Sequence, residues 1–392
     1  MSGYLLSAFV CFSLWDYYIP SLGGRVLDYV GIASLGMLLA SRLISPNITV
    51  LSFTPAYLAL LSVTAPYIVI AYWQGTWLTA TAFILGATVI YGSFWTARPQ
   101  YERLKKQVRG LILINLLFFF FQYASFNLFG VVVDYHSYFG SVDPRTFNVE
   151  IDFFRAAGLF QEPNSFCVTL FMLNVLHLIL RGDGRADAVL AASIIAMIIS
   201  ESLWGFGAAI VVMGLTVSIR FSVARVAMVA MVLVPIIVLA VSFTEILTLI
   251  ELILTPVTIN RLADFLGDPS IEARYGGLAF KGMLDFLIGA GLSTQEFQSL
   301  AGANGLGFFV YCFGLVGFAA FIVWLVADSS KKWLFVTMAV LFAMTSYPLF
   351  TYAFWWAWLG ILIQAARRVS TEQNSAVVRV VSPASASPST VV

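Results

Sequence analysis

Charge is scarce in this chain. Asp, Glu, Lys and Arg make up 10% of its 392 residues, against roughly 25% in a soluble domain. The formal net charge is +1 and no basic block tracks a phosphate backbone, which excludes nucleic acid as a partner. Histidine occurs only at His136 and His177, too few for a His-rich zinc or di-iron centre. The three cysteines, Cys11, Cys167 and Cys312, stand alone in apolar runs. They make neither a disulfide framework nor a metal cluster, and read as small buried hydrophobes. No nucleotide motif is present, so no cofactor and no metal are expected. No internal repeat occurs, which removes the inverted-repeat logic of many transporters.

What the chain has is apolar length. It is 60% hydrophobic with a mean hydropathy of +0.91, the composition of an integral membrane protein. A spanning helix takes roughly 20 apolar residues. Runs of that kind fall near 1–19, 26–44, 50–73, 77–95, 110–132, 165–181, 188–200, 203–219, 226–243, 305–327, 333–346 and 350–366, about twelve in all. The expected fold class is an all-α polytopic membrane protein. The membrane domain covers 1–369, and the Ser/Pro/Ala-rich end, 370–392, reads as a disordered cytoplasmic tail. The first run has no positive n-region and no small-residue cleavage site, so a retained helix is expected there.

Loop charge orients the spans. With the N-terminus inside, fifteen of the 21 Lys and Arg fall in inner loops or at the inner end. The densest inner cluster is Arg98, Arg103, Lys105, Lys106 and Arg109; the others lie at 42, 181, 185, 220, 225, 331, 332, 367, 368 and 379. The outer side keeps Arg25, Arg145, Arg155, Arg261, Arg274 and Lys281. The positive-inside rule therefore places both termini in the cytoplasm. Two outer loops, about 133–164 and 244–304, are too long to be simple connections and are expected to carry function.

The first of these loops ends in "FFRAAGLFQEPNSF", residues 153–166. Pro163 suits the first turn of the following helix, and Asn164 or Ser165 its N-cap. That leaves Arg155 and Glu162 unexplained. Either they form an ion pair at the membrane surface, Arg155 with Glu162 or with Asp152, or Arg155 meets a ligand anion. The second loop holds "DPSIEARYGGLAFKGMLDFLIGAGLS", residues 268–293. Asp268 and Pro269 start a helix and Gly289 and Gly291 stop it. Arg274, Leu278, Lys281 and Asp285 share one face. The helix is expected at the outer interface, with its cations either snorkelling or clamping a phosphate headgroup that Arg261 joins. Glu201, in the turn "SESLWG", is a carboxylate at membrane level, solvated or functional. Asn304 precedes the span at 305 as an N-cap or a polar ligand. Gly305, Gly307, Gly314 and Gly317 then permit close helix packing.

"RAAGLFQEPNSF" resembles the Arg…Gly…Pro-Asn signature of the O-antigen polymerase and O-antigen ligase superfamily. "ARYGGLAFKGMLDFLIGAGLS" is similar to that family's Arg-bearing helix in a large periplasmic loop, and "ANGLGFFVYCFGLVGF" to the segment that follows it. The second half of the chain carries the likeness; the first 130 residues share only hydropathy. Ligases of this superfamily place a histidine beside the Asn, where this chain has Ala303, which favours the polymerase. The resemblance implies a GT-C-like glycosyltransferase of the bacterial inner membrane. Its donor and acceptor are glycans on undecaprenyl diphosphate at the periplasmic face, and a chain-length regulator is a further expected partner. It implies catalysis by Arg155, Glu162 and Arg274, with Arg145, Asn164, Glu201, Arg261, Lys281 and Asn304 binding substrate. The competing expectations are a ligase acting on lipid A-core and, in another class, a lipid or polysaccharide flippase.

Overall fold

The computed structural model describes residues 54–73, 100–135, 153–160, 162–183, 185–220, 283–289, 305–329, 332–346 and 353–381, the two-residue strands at 18–19, 24–25 and 147–148, and positions 33, 36, 37, 40 and 349. The expected spans near 77–95 and 226–243 lie outside the described residues, as do all of that at 1–19 but the strand residues 18–19, and nearly all of that at 26–44. So do Arg145, Arg261, Arg274, Lys281 and Asn304.

The described architecture is helical. Helices α1 (Pro55–Trp73), α2 (Tyr101–Phe129), α3 (Pro163–Arg181), α4 (Ala188–Ile199) and α5 (Leu203–Arg220) are followed by a short α6 (Met283–Ile288). Then come α7 (Gly305–Ser329), α8 (Trp333–Met344) and α9 (Ala353–Val381). Two antiparallel ladders of two-residue strands add to these: β1 (Tyr18–Ile19) with β2 (Gly24–Arg25), and β3 (Phe147–Asn148) with β4 (Phe153–Phe154). Among the described residues three helices, α2, α3 and α7, are long and apolar enough to cross a membrane. The protein is thus a helical membrane protein.

Helix α3 is the central element. Every residue from Phe166 to Ile179 is buried, as expected of a helix that is apolar all round. It packs against α2, α4, α5, α8 and α9. Aromatic rings fill these seams: Phe119 stacks on Phe166 at 4.6 Å, and Phe171 meets Trp204 and Phe342. Lipid tails are as apolar as these side chains, so their association is driven by van der Waals packing and interhelical hydrogen bonds. Trp358 supplies one such bond, donating from Nε1 to the Met172 carbonyl at 3.0 Å.

Helix ends gather on two opposite faces. On one, the Asp328 carboxylate accepts from Thr54 Oγ1 at 2.7 Å, Trp324 Nε1 at 2.8 Å and Arg367 Nη2 at 2.9 Å. This ties α1, α7 and α9 together. Arg368 lies over the Tyr101 ring at 4.6 Å, and Lys332 Nζ donates to the Ile219 carbonyl. On the same side Asp187 caps α4 by accepting from Leu190 N, while Arg181 Nη1 at 2.6 Å and His177 Nε2 at 3.1 Å meet its other oxygen. On the opposite face Trp204 Nε1 donates to Thr345 Oγ1 at 3.0 Å and Cys167 Sγ lies 3.0 Å from Ser200 Oγ. The first face holds the basic loop ends that the charge count assigns to one side.

Three features differ from the sequence reading. Helix α2 begins at Tyr101, inside the basic segment read as a loop. Helix α9 runs on to Val381, so 370–381 is helical where the composition reads as a disordered tail; from 370 to 381 neither Pro nor Gly occurs, and the first breaker is Pro383. The span at 305–327 exists as α7 but is broken at Gly314, with φ 67° and ψ −178°. A β-carbon at Gly314 would overlap the backbone of Leu287–Gly289, and one at Gly289, φ +88°, would overlap that of Cys312 and Gly314. The end of α6 is therefore wedged against the break. That point lies about 14 Å along α7 from Gly305.

Candidate functional site

The site is built around the segment that enters α3. Helix α2 ends in a left-handed Gly130, φ 65°, whose amide bonds back to Phe126 O while Val131 N bonds to Ser125 O. The chain then folds back along the helix it has left. Tyr135 packs edge-on against Phe118 at 5.1 Å, and Val133 O reaches Gln122. Residues 153–160 return along the same helix as a strap. Phe154 stacks on Phe126 at 4.5 Å, and Ala156, Ala157 and Phe160 are fully buried. Gly158 adopts φ +58°, and a β-carbon there would come within 3.3 Å of Phe119 N.

This strap is non-helical backbone beside a membrane-spanning helix. Gln122 lies about 10 Å along α2 from its C-terminal end. Backbone polar groups buried there need protein partners. Gln122, 1% exposed, supplies them: Oε1 accepts from Ala157 N and Gly158 N, each at 2.8 Å, and Nε2 donates to Val133 O at 2.7 Å. The sequence reading missed Gln122. The signal was a lone amide inside "FFFFQYASF", and polar residues within a span carry a functional default.

Arg155 lies on the strap and is half-buried, as is Glu162. Glu162 is itself the N-cap position of α3, with extended backbone, and Pro163 is the first helical residue. Neither Asn164 nor Ser165 is the cap. Ser165 Oγ instead points to Glu162 Oε1 at 3.5 Å. Asn164 sits in the first turn, 9% exposed, and among the described residues neither Nδ2 nor Oδ1 has a hydrogen-bond partner. An enclosed, unsatisfied amide costs roughly 1–3 kcal/mol per group, so this turn is held there by its packing.

Glu201 comes to the same end of the bundle. It is the one non-glycine with positive φ, +56°, among the described residues, a conformation costing roughly 1–2 kcal/mol. Its neighbour Ser200 contacts Cys167, one turn along α3 from Asn164. Gly205 makes the approach possible, since a β-carbon there would lie 2.5 Å from Cys167 Sγ and 2.9 Å from Met197 O. The structure thus gathers Arg155, Glu162 and Asn164 on one strap and helix start, with the Glu201 turn at the same end of α3. Such a grouping offers a cation, two carboxylates and an amide beside buried non-helical backbone, the parts needed to hold an anionic headgroup and to move a proton. No protein-family model and no curated protein sequence matches this chain.

Proposed function

We propose that the protein is an inner-membrane glycosyltransferase that polymerises undecaprenyl-diphosphate-linked repeat units of O-antigen or a related surface polysaccharide at the periplasmic face. The observation that carries the reading is the strap: Arg155 and Glu162 stand on non-helical backbone tied to a spanning helix. The ordered motifs of the second half of the chain point the same way.

The chemistry follows from the groups. An acceptor sugar hydroxyl attacks C1 of the donor sugar. Glu162 takes the hydroxyl proton, the new C1–O bond forms, and the bond from C1 to the diphosphate oxygen breaks. Undecaprenyl diphosphate leaves with the electron pair. Arg155, joined by Arg274 from the second outer loop, holds the charge that develops on it, and guanidinium suits this role through bidentate contacts. A single displacement of this kind inverts the anomeric centre. The basic face of the bundle then lies in the cytoplasm, with both termini inside. Ala303, in the place of the ligase histidine, favours the polymerase over transfer to lipid A-core.

The test uses purified protein at matched expression. Arg155→Ala and Arg274→Ala should each lower turnover about 10²–10³-fold, the effect of removing one contact to a developing anion. Lysine at 155 should restore part of it. Glu162→Gln should abolish turnover while donor lipid still binds. Near wild-type rates in both alanine variants would leave the strap with a cap and a surface ion pair only, worth roughly 0–1 kcal/mol.

A further inference from the structure

We propose that Gln122 is a positioning residue for this reaction: through its three hydrogen bonds it fixes where the strap holds Arg155 and Glu162. The inference rests on the reading given under Proposed function. One side chain accepts from Ala157 N and Gly158 N and donates to Val133 O, at 2.7–2.8 Å, inside the protein. Among side chains of this size, only a planar amide or a neutral carboxyl both accepts and donates in this way. Arg155 stands two residues before the first clamped amide, and Glu162 four after the second. Gly158 adds a second constraint, because φ +58° and the 3.3 Å approach to Phe119 N would strain any side chain there. The strap is thereby referenced to the rigid helix α2. A displacement of about 1 Å at reacting groups can cost about 10²-fold in rate.

The experiment compares full-length protein in lipid nanodiscs with Gln122→Leu and Gln122→Glu. Hydrogen exchange reads the strap, and polymerisation of a lipid-linked repeat unit reads kcat and KM. In Gln122→Leu the Ala157 and Gly158 amides should exchange at least about tenfold faster while the α3 amides stay protected, and kcat should fall about 10–100-fold. Gln122→Glu should recover most of the rate at neutral pH, because a buried carboxyl stays neutral and reproduces the acceptor and donor. Its rate should fall as pH rises, where the wild type stays flat. Unchanged exchange at 157 and 158, or an unchanged kcat in the folded Gln122→Leu protein, overturns the proposal. If wild-type protein makes no polymer, the glycosyltransferase reading falls. Gln122 is then judged by retention of a polyprenyl diphosphate in the nanodisc: loss in the leucine variant alone keeps the positioning role, and equal retention in all three removes it.

Discussion

Removing the Asp328 carboxylate should loosen the bundle at one defined point. Its side chain is 3% exposed and joins three helices through Thr54, Trp324 and Arg367. Asp328→Ala removes the acceptor of the Thr54 hydroxyl and of the Trp324 indole, roughly 1 kcal/mol each. The Arg367 contact is charge-assisted, but that side chain is 34% exposed and keeps access to water, so its share is discounted to about 1 kcal/mol. The sum is on the order of 3 kcal/mol. For a chain of this size that corresponds to a melting shift of roughly 3–5 °C. Thermal unfolding of the detergent-solubilised protein, followed by tryptophan fluorescence, reads it. Asp328→Asn should lose about half as much, because its amide oxygen still accepts. Asp183→Asn, at a side chain 42% exposed, should shift the melt by under about 1 °C. A wild-type melt for Asp328→Ala would refute the latch.

Three further outcomes follow from the same geometry. Gly314→Ala should unseat the end of α6 and lower the melt by several degrees, whereas Gly214→Ala, where a β-carbon meets nothing within 4 Å, should be neutral or stabilising; equal melts for the two would remove the wedge. Burial pushes the Asp187 carboxyl up, but the Leu190 amide, His177 and Arg181 outweigh it and hold the group below the ordinary aspartate value of 3.8. Its contribution is therefore fully present above that value and lost as pH falls below it, so the melting difference between wild type and Asp187→Asn should persist at pH 5–7 and close below about pH 4. Cysteines placed at 145 and 268 should react with an impermeant reagent added outside the inner membrane, and those at 104 and 183 should not; labelling at 104 would invert the topology.

Hydropathy was a good guide inside the packed bundle. The runs read at 165–181, 188–200 and 203–219 correspond to α3, α4 and α5 within one or two residues, because a buried apolar segment satisfies its own backbone as a helix. It was a poor guide where the composition turns polar. "YERLKKQVR" is helical, yet its charges read as a loop, and the extension of α9 beyond 369 is helical where the Ser/Pro/Ala-rich end reads as disordered. The break at Gly314 was hidden because a glycine in a span reads equally well as a packing contact. The strap was hidden for a similar reason. A long polar-tipped loop is placed on the surface by default, and only Gln122 hinted that residues 153–160 lie against α2. Of the candidate site, Arg155, Glu162, Asn164 and Glu201 fall on described residues and at one end of α3; the roles given to them come from their chemistry.

The central claim is covalent chemistry on a lipid-linked glycan. Purified protein incubated with undecaprenyl-diphosphate-linked repeat units, in excess EDTA, and resolved on a gel tests it most directly. The account predicts a ladder spaced by one repeat unit, with free undecaprenyl diphosphate released at each step and an inverted linkage at every new bond. A single shifted band formed only when lipid A-core is added would make the protein a ligase. Repeat units that cross the bilayer unaltered would make it a flippase and contradict the account.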